Sequence, residues 1–181
     1  MGFLPKIQTK RLLLRPLEYR DAPRLHALET DAEVKKFLGG PSKSTVEEYA
    51  NRIKAQQMPG YLAVTTEVGE FLGRCGFLNC DIEDTGPRAR FSGSGMAMTV
   101  RLGWEIHIAL FPSRHREGYG REVAKNLINY GFNVMRLEKL FGVADAQNAA
   151  SLGLCEQLGF RYERDTTRHN RPHKVLILAK P

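Results

Sequence analysis

The chain has 181 residues, 42% of them apolar and 26% charged, with a formal net charge of +7. That length suits one globular core, so residues 1–181 read as a single domain whose field draws anions without choosing among nucleotides, nucleic acid and acidic proteins. Three cysteines lack a CxxC spacing and five histidines lack a ligand pattern, no apolar run approaches the ~18 residues of a membrane helix, and MGFLPKIQTKR lacks a signal peptide's apolar core. The expectation is a cytoplasmic protein with reduced thiols, no disulfide, no metal and no membrane partner.

Residues 11–16, RLLLRP, read as a first or edge strand, since Pro16 cannot donate to a ladder. Asp21 stands where it can cap a helix carrying Leu25 and Leu28, with Pro23 tolerated in the first turn and His26 satisfied or solvent-facing. FLGGP at 37–41 is a break. Ser44 and Glu47 match a capping box, and Val46, Tyr49, Ala50 and Ile53 recur at helical spacing, so a second helix should run to about Gln57 and stop at Met58-Pro59-Gly60. Residues 61–66 and 71–78 are β-rich and flank Glu67-Val68-Gly69-Glu70, a hairpin pattern. Residues 81–99 are polar and Gly-rich, a binding lid or plain disorder, with Arg88 and Arg90 read as solvated. Further on, 139–144 reads as a buried strand, 148–158 as a helix closed by Gly159, and 160–162 and 175–179 as final strands around a polar turn at 166–172. Alternating elements flanked by hairpins predict a mixed α/β sheet with helices on both faces.

The chemistry concentrates in residues 104–125, WEIHIALFPSRHREGYGREVAK. In the strand, Trp104, Ile106, Ile108 and Leu110 share one face, and Glu105, His107 and Ala109 the other. The second face sets two proton acceptors side by side, although a face covered only by water would carry the same residues. The loop PSRHREGYG then supplies Arg114, His115 and Arg116 before Gly118-Tyr119-Gly120. Glycines let backbone N–H groups approach a phosphate, and the following helix aims its partial positive charge at the same spot. The pattern is neither GxGxxG nor GxxxxGK[ST], which counts against dinucleotide oxidoreductases and NTPases. Val123, Ala124, Leu127, Ile128 and Gly131 give the helix one apolar face.

Three segments together, TKRLLLRPLEYRDAPRL, EIHIALFPSRHREGYG and NAASLGLCEQLGF, resemble the GNAT N-acetyltransferases, and within them the ribosomal-protein (RimJ/RimL-like) branch. The resemblance implies a mixed, mostly antiparallel central sheet flanked by helices on both faces, with two splayed parallel strands. It implies acetyl-CoA as co-substrate, its diphosphate on the N–H groups of Arg116, Gly118, Tyr119, Gly120 and Arg121, with His115 in the same loop. The pantetheine arm would lie between the strand carrying Ile108 and Leu110 and the one ending near Ala144, bonded by Asn148, with Ser151 near the sulfur. The acceptor would be a primary amine, a protein N-terminal α-amine or a small molecule, attacking the thioester directly. Glu105 is the first candidate for base and His107 the second; Ser151 is the candidate donor to sulfur, a role that a small helix residue bonded to the backbone would not have.

Two positions depart from the family pattern. His115 stands where Gln or Arg is common, and Cys155 where many members carry a general-acid Tyr, which shifts weight to Ser151 or solvent. Two other readings stay open at this point: a non-catalytic acyl-CoA-binding sensor, and a basic ribosome- or RNA-binding module, the latter opposed by dispersed Lys and Arg without interleaved aromatics. Acceptor identity and oligomeric state, a homodimer included, are open as well.

Overall fold

The computed structural model describes residues 4–81 and 102–181. These form one eight-stranded sheet in the order β1-β2-β3-β4-β5-β6-β8-β7. The strands are β1 (Ile7–Gln8), β2 (Leu12–Pro16), β3 (Tyr61–Thr66), β4 (Phe71–Asp81), β5 (Leu102–Leu110), β6 (Lys139–Asp145), β7 (Arg161–Arg168) and β8 (Arg171–Ala179). Every neighbouring pair is antiparallel except β5 and β6, which run parallel and share a single registered pair, Glu105 with Phe141. The helices are α1 (Ala22–Thr30), α2 (Ala32–Lys35), α3 (Val46–Lys54), α4 (Tyr119–Asn133) and α5 (Ala149–Gln157).

Strand alternation sorts the core into two layers. On one face Val123 and Leu127 of α4 pack with Leu12, Leu14, Leu62, Val64, Leu72 and Phe77, joined by Trp104, Ile106, Ile108 and Leu110 of β5 and by Leu152 of α5. On the other, Leu25 and Leu28 of α1 and Tyr49 and Ala50 of α3 pack with Ala63, Phe71 and Ala109. The helices therefore cover both faces, as expected, and the face carrying Glu105 and His107 lies under α1 and α3 rather than under water alone. No helix among the described residues is long and apolar enough to cross a membrane.

Several boundaries differ from the sequence reading. Asp21 sits at the N-cap of α1 but makes no capping bond; its carboxylate instead takes both guanidinium nitrogens of buried Arg15 at 2.7 and 2.9 Å, a charge-assisted fork stronger than a single N–H bond. The capping box of α3 is Thr45 with Glu48, one residue later than expected, and the helix ends at Lys54. β2 is not an edge strand, because β1 pairs outside it. The last two strands run straight through the expected polar turn and close on His169-Asn170 alone, both at positive φ (52° and 59°), the two-residue hairpin that matches strand twist. The tip rests on Gly39, where an added Cβ would lie 2.7 Å from the His169 ring and φ is +87°. The expected lid at 81–99 falls, beyond Asp81, outside the described residues.

Candidate active site

The loop after β5 is shaped by its backbone. A 3-10 turn over Pro112–Arg114 is held by the Arg114 and His115 N–H groups on the Phe111 and Pro112 carbonyls, at 2.9 and 3.0 Å. Arg116 (φ 64°) and Gly118 (φ 79°) are then left-handed, and α4 begins at Tyr119. A Cβ at Gly118 would meet nothing closer than 3.5 Å, so φ, not space, calls for glycine there. Among the described residues, the N–H groups of Arg116, Gly118, Tyr119, Gly120 and Arg121 have no hydrogen-bond acceptor in the chain. They gather at the positive end of a 15-residue helix, which is how a backbone holds a diphosphate.

Residues far away in sequence brace this cradle. Thr9 Oγ1 donates to Glu122 at 2.6 Å, and Arg11 does so through its backbone N–H at 2.8 Å and its Nε at 2.7 Å. The Arg11 guanidinium also donates to the Glu117 carbonyl at 3.0 Å and lies 4.4 Å over the Tyr119 ring. Neither Thr9 nor Arg11 was marked by the sequence, since both partners lie more than a hundred positions on. His115 bonds the Leu110 carbonyl through Nε2 at 3.1 Å; a carbonyl only accepts, so Nε2 carries the proton and the ring ties the loop to the end of β5.

Beyond Glu105 the two parallel strands part. Ile108 and Leu110 pair with Cys75 and Gly73 of β4, while Val143 and Asp145 pair with Val175 and His173 of β8. The slot between them is edged by backbone, because the Ile108 and Leu110 side chains turn into the core. α5 starts just past the end of β6, its N-cap Asn148 accepting the Ser151 N–H at 3.1 Å, so both residues stand half-buried at one end of the slot. Cys155, one helical turn on, is pushed up to about 11 by burial first and by nearby carboxylates second, which makes its thiol a poor acid at neutral pH.

Glu105 is only 4% exposed and takes Arg168 Nη1 of β7 at 2.7 Å. Burial pushes its carboxyl above the usual range and Arg168 pulls it partly back. His107, two residues on, accepts Arg74 Nη1 on Nδ1 at 2.7 Å. A guanidinium only donates, so the proton of the neutral ring sits on Nε2. Burial, then the charges of Arg74, Lys35 and Arg168, hold His107 far below the usual imidazole range. Arg74 Nε also bonds buried Glu29, which takes Lys35 Nζ at 2.8 Å as well. Tyr61 lies beneath the Arg74 guanidinium at 4.7 Å and meets the His107 ring edge-on at 6.3 Å. The sequence reading missed Glu29, Lys35, Arg74, Tyr61 and Arg168; one signal was available, an arginine inside the apolar strand FLGRCGF. The arrangement offers a buried carboxylate, an imidazole N–H donor, and a helix start open to an anion where β5 ends.

The chain matches the acetyltransferase (GNAT) domain family over residues 11–161. It is 28% identical to an uncharacterized protein, YkkB, of Bacillus subtilis, covering 97% of this chain and 96% of that one. Its fold is similar to a GNAT-family acetyltransferase from Bacillus anthracis, with a TM-score of 0.76, 21% identity and coverage of 97% and 98%. It is also similar to spermidine N-acetyltransferase from Vibrio cholerae, solved in complex with CoA and spermine, with a TM-score of 0.72, 16% identity and coverage of 93% and 95%. With most of its length inside the family match, and with parallel strands that part beside an open helix start, the chain belongs to the GNAT family of N-acetyltransferases.

Proposed function

We propose that the protein moves an acetyl group from acetyl-CoA to a primary amine, a protein N-terminal α-amine or a small-molecule amine, by direct attack with Glu105 as base. One observation carries this reading: five N–H groups without an acceptor among the described residues gather at and just before the start of α4, and buried Glu105 marks the level where β5 and β6 part. Acetyl-CoA supplies the activated acyl group. The N–H groups of Arg116, Gly118, Tyr119, Gly120 and Arg121 hold its diphosphate, Asn148 and the edge of β5 at Ile108 and Leu110 orient the arm, and the Ser151 hydroxyl donates to sulfur. His115 serves the site by securing the loop.

An ammonium is no nucleophile, so a proton must leave before nitrogen attacks. Glu105 suits the task because burial raises its basicity toward neutral pH. His107 suits it less, since its Nδ1 lone pair is engaged by Arg74 and its Nε2 already bears the proton. As a donor His107 orients the acceptor instead. The three resembling segments support membership of the ribosomal-protein branch, whereas the solved complex of a spermidine N-acetyltransferase is a reminder that this fold also serves small amines. A cytoplasmic setting with reduced thiols fits the buried, unpaired Cys75.

The test is thiol release from acetyl-CoA across a panel of amines and N-terminal peptides. Glu105→Gln should lower turnover by about a hundredfold or more, the usual weight of a general base, while CoA affinity is retained. A flat response to every amine, with CoA still bound, would contradict catalysis and favour a sensor.

A further inference from the structure

The acceptor side of the sheet holds an unbalanced set of buried charges. Among the described residues, the buried carboxylates Asp21, Asp145 and Glu105 are answered by Arg15, Arg171 and Arg168 respectively. Glu29 is answered by two cations, Lys35 and Arg74. All three members of that triad are over nine-tenths buried, with Glu29 7%, Lys35 8% and Arg74 4% exposed. A buried charge without a counterpart is costly, so this excess of one positive charge among the described residues calls for an anion. The neutral His107 ring that Arg74 touches cannot supply it. Arg74 uses Nε on Glu29 and Nη1 on His107.

The cations converge from separate elements, Lys35 from α2, Arg74 from β4 and Arg168 from β7, and the charges of all three bear on the His107 ring. His107 lies two residues from Glu105 on the same strand face, about 7 Å along the strand. An amine at Glu105 and an anion beside Arg74 are thus separated by little more than a short aliphatic linker. Resting on the acetyltransferase reading, we infer that the acceptor carries, beside its amine, an anionic group, a carboxylate or a phosphate, that docks on Lys35 and Arg74 next to His107. A polyamine would add positive charge where positive charge is already in excess. Carboxylate and phosphate both fit the planar N–H fork of a guanidinium.

The experiment compares acceptors that share an amine and differ in the anion. Initial rates of thiol release at fixed acetyl-CoA are measured for a panel of L-amino acids, each against its own amide, for phosphoethanolamine against ethanolamine, and for spermidine. The preferred acceptor should be an anionic member, with kcat/KM at least tenfold above its neutral counterpart and above spermidine; the amino-acid and phosphoethanolamine arms tell carboxylate from phosphate. Amides, ethanolamine or spermidine equal to or better than the anionic amines would overturn the inference. Thermal unfolding of the CoA-bound protein with the same pairs gives a readout besides turnover. A rise in Tm confined to the anionic member supports the site even where no amine is acetylated, a result that would sink the proposed function alone. No selective rise together with no turnover overturns the site. Lys35→Met leaves Glu29 and Arg74 as a balanced pair and should reduce the anionic preference to within about twofold, with Lys35→Arg retaining it. An unchanged preference in Lys35→Met would mean that the triad is only structural.

Discussion

Arg168→Gln removes the cation that rests on the candidate base and leaves a polar side chain of similar length. Glu105 is raised by burial and restrained by Arg168, so deleting the restraint moves its pKa further up. A charged hydrogen bond contributes about 1.5–3 kcal/mol. The Arg168 side chain is 34% exposed, and solvent screening takes the effect to the low end or below, about 1.4 kcal/mol. A base works only when ionised, so the acid limb of kcat/KM against pH should move to higher pH. Well below that limb the rate should fall about tenfold, with little change on the alkaline plateau. His173, which also lowers Glu105, remains in place, and using one acceptor for both enzymes keeps the amine's own titration common to the two profiles. Arg168→Lys should bring the limb most of the way back. A limb that stays where it was, or moves to lower pH, would refute the claim that Arg168 tunes a catalytic carboxylate.

Gly118→Ala forces a β-carbon onto φ 79°, a cost of about 1–2 kcal/mol, so calorimetric CoA affinity should weaken about tenfold; an unchanged affinity would mean the loop does not hold the diphosphate. Asp21→Ala strands Arg15 in a site where Arg15 is 5% exposed, and losing one partner of a buried pair costs about 3–5 kcal/mol, so Tm should drop by roughly 10 °C for a domain of this size. Burial pushes Glu29 up, but Arg74 and Lys35 together hold it below the ordinary carboxylate value. Its contribution is therefore complete above its unfolded pKa of about 4.3 and fades as pH falls through the lower folded value; urea unfolding from pH 7 to pH 3 should show this loss, and Glu29→Gln should lack that part of it. Thr45→Ala removes the capping bond of α3 and should cost about 1 kcal/mol in the same assay.

Local pattern made the centre of the fold readable. The alternation Trp104, Glu105, Ile106, His107, Ile108 is what a strand buried on both faces with two polar insertions must look like, and the glycines before Arg121 placed the start of α4. Errors arose where two local solutions were equally good. Ser44 with Glu47 and Thr45 with Glu48 satisfy the same capping rule; in the fold Ser44 Oγ accepts from Arg52 instead, while Thr45 and Glu48 exchange the capping bonds. Asp21 looked like a cap, but Arg15 offers its carboxylate a bidentate partner that outbids a helix N–H. The hairpin β7–β8 was cut short because its polar residues resemble a loop, although they are paired across an edge. What stayed hidden was long-range: Arg74 and Glu29 lie 45 positions apart and Glu105 and Arg168 lie 63 apart. No spacing rule joins such residues before the sheet is assembled.

In the proposed complex the helix start after β5 grips the diphosphate of acetyl-CoA while the arm lies in the slot between β5 and β6. A crystal structure of the protein with CoA tests it most directly. Diphosphate oxygens should lie within hydrogen-bond distance of the N–H groups of Arg116, Gly118, Tyr119, Gly120 and Arg121, with the thiol end beside Ser151. A CoA molecule seated elsewhere, with those N–H groups turned to solvent, would contradict it.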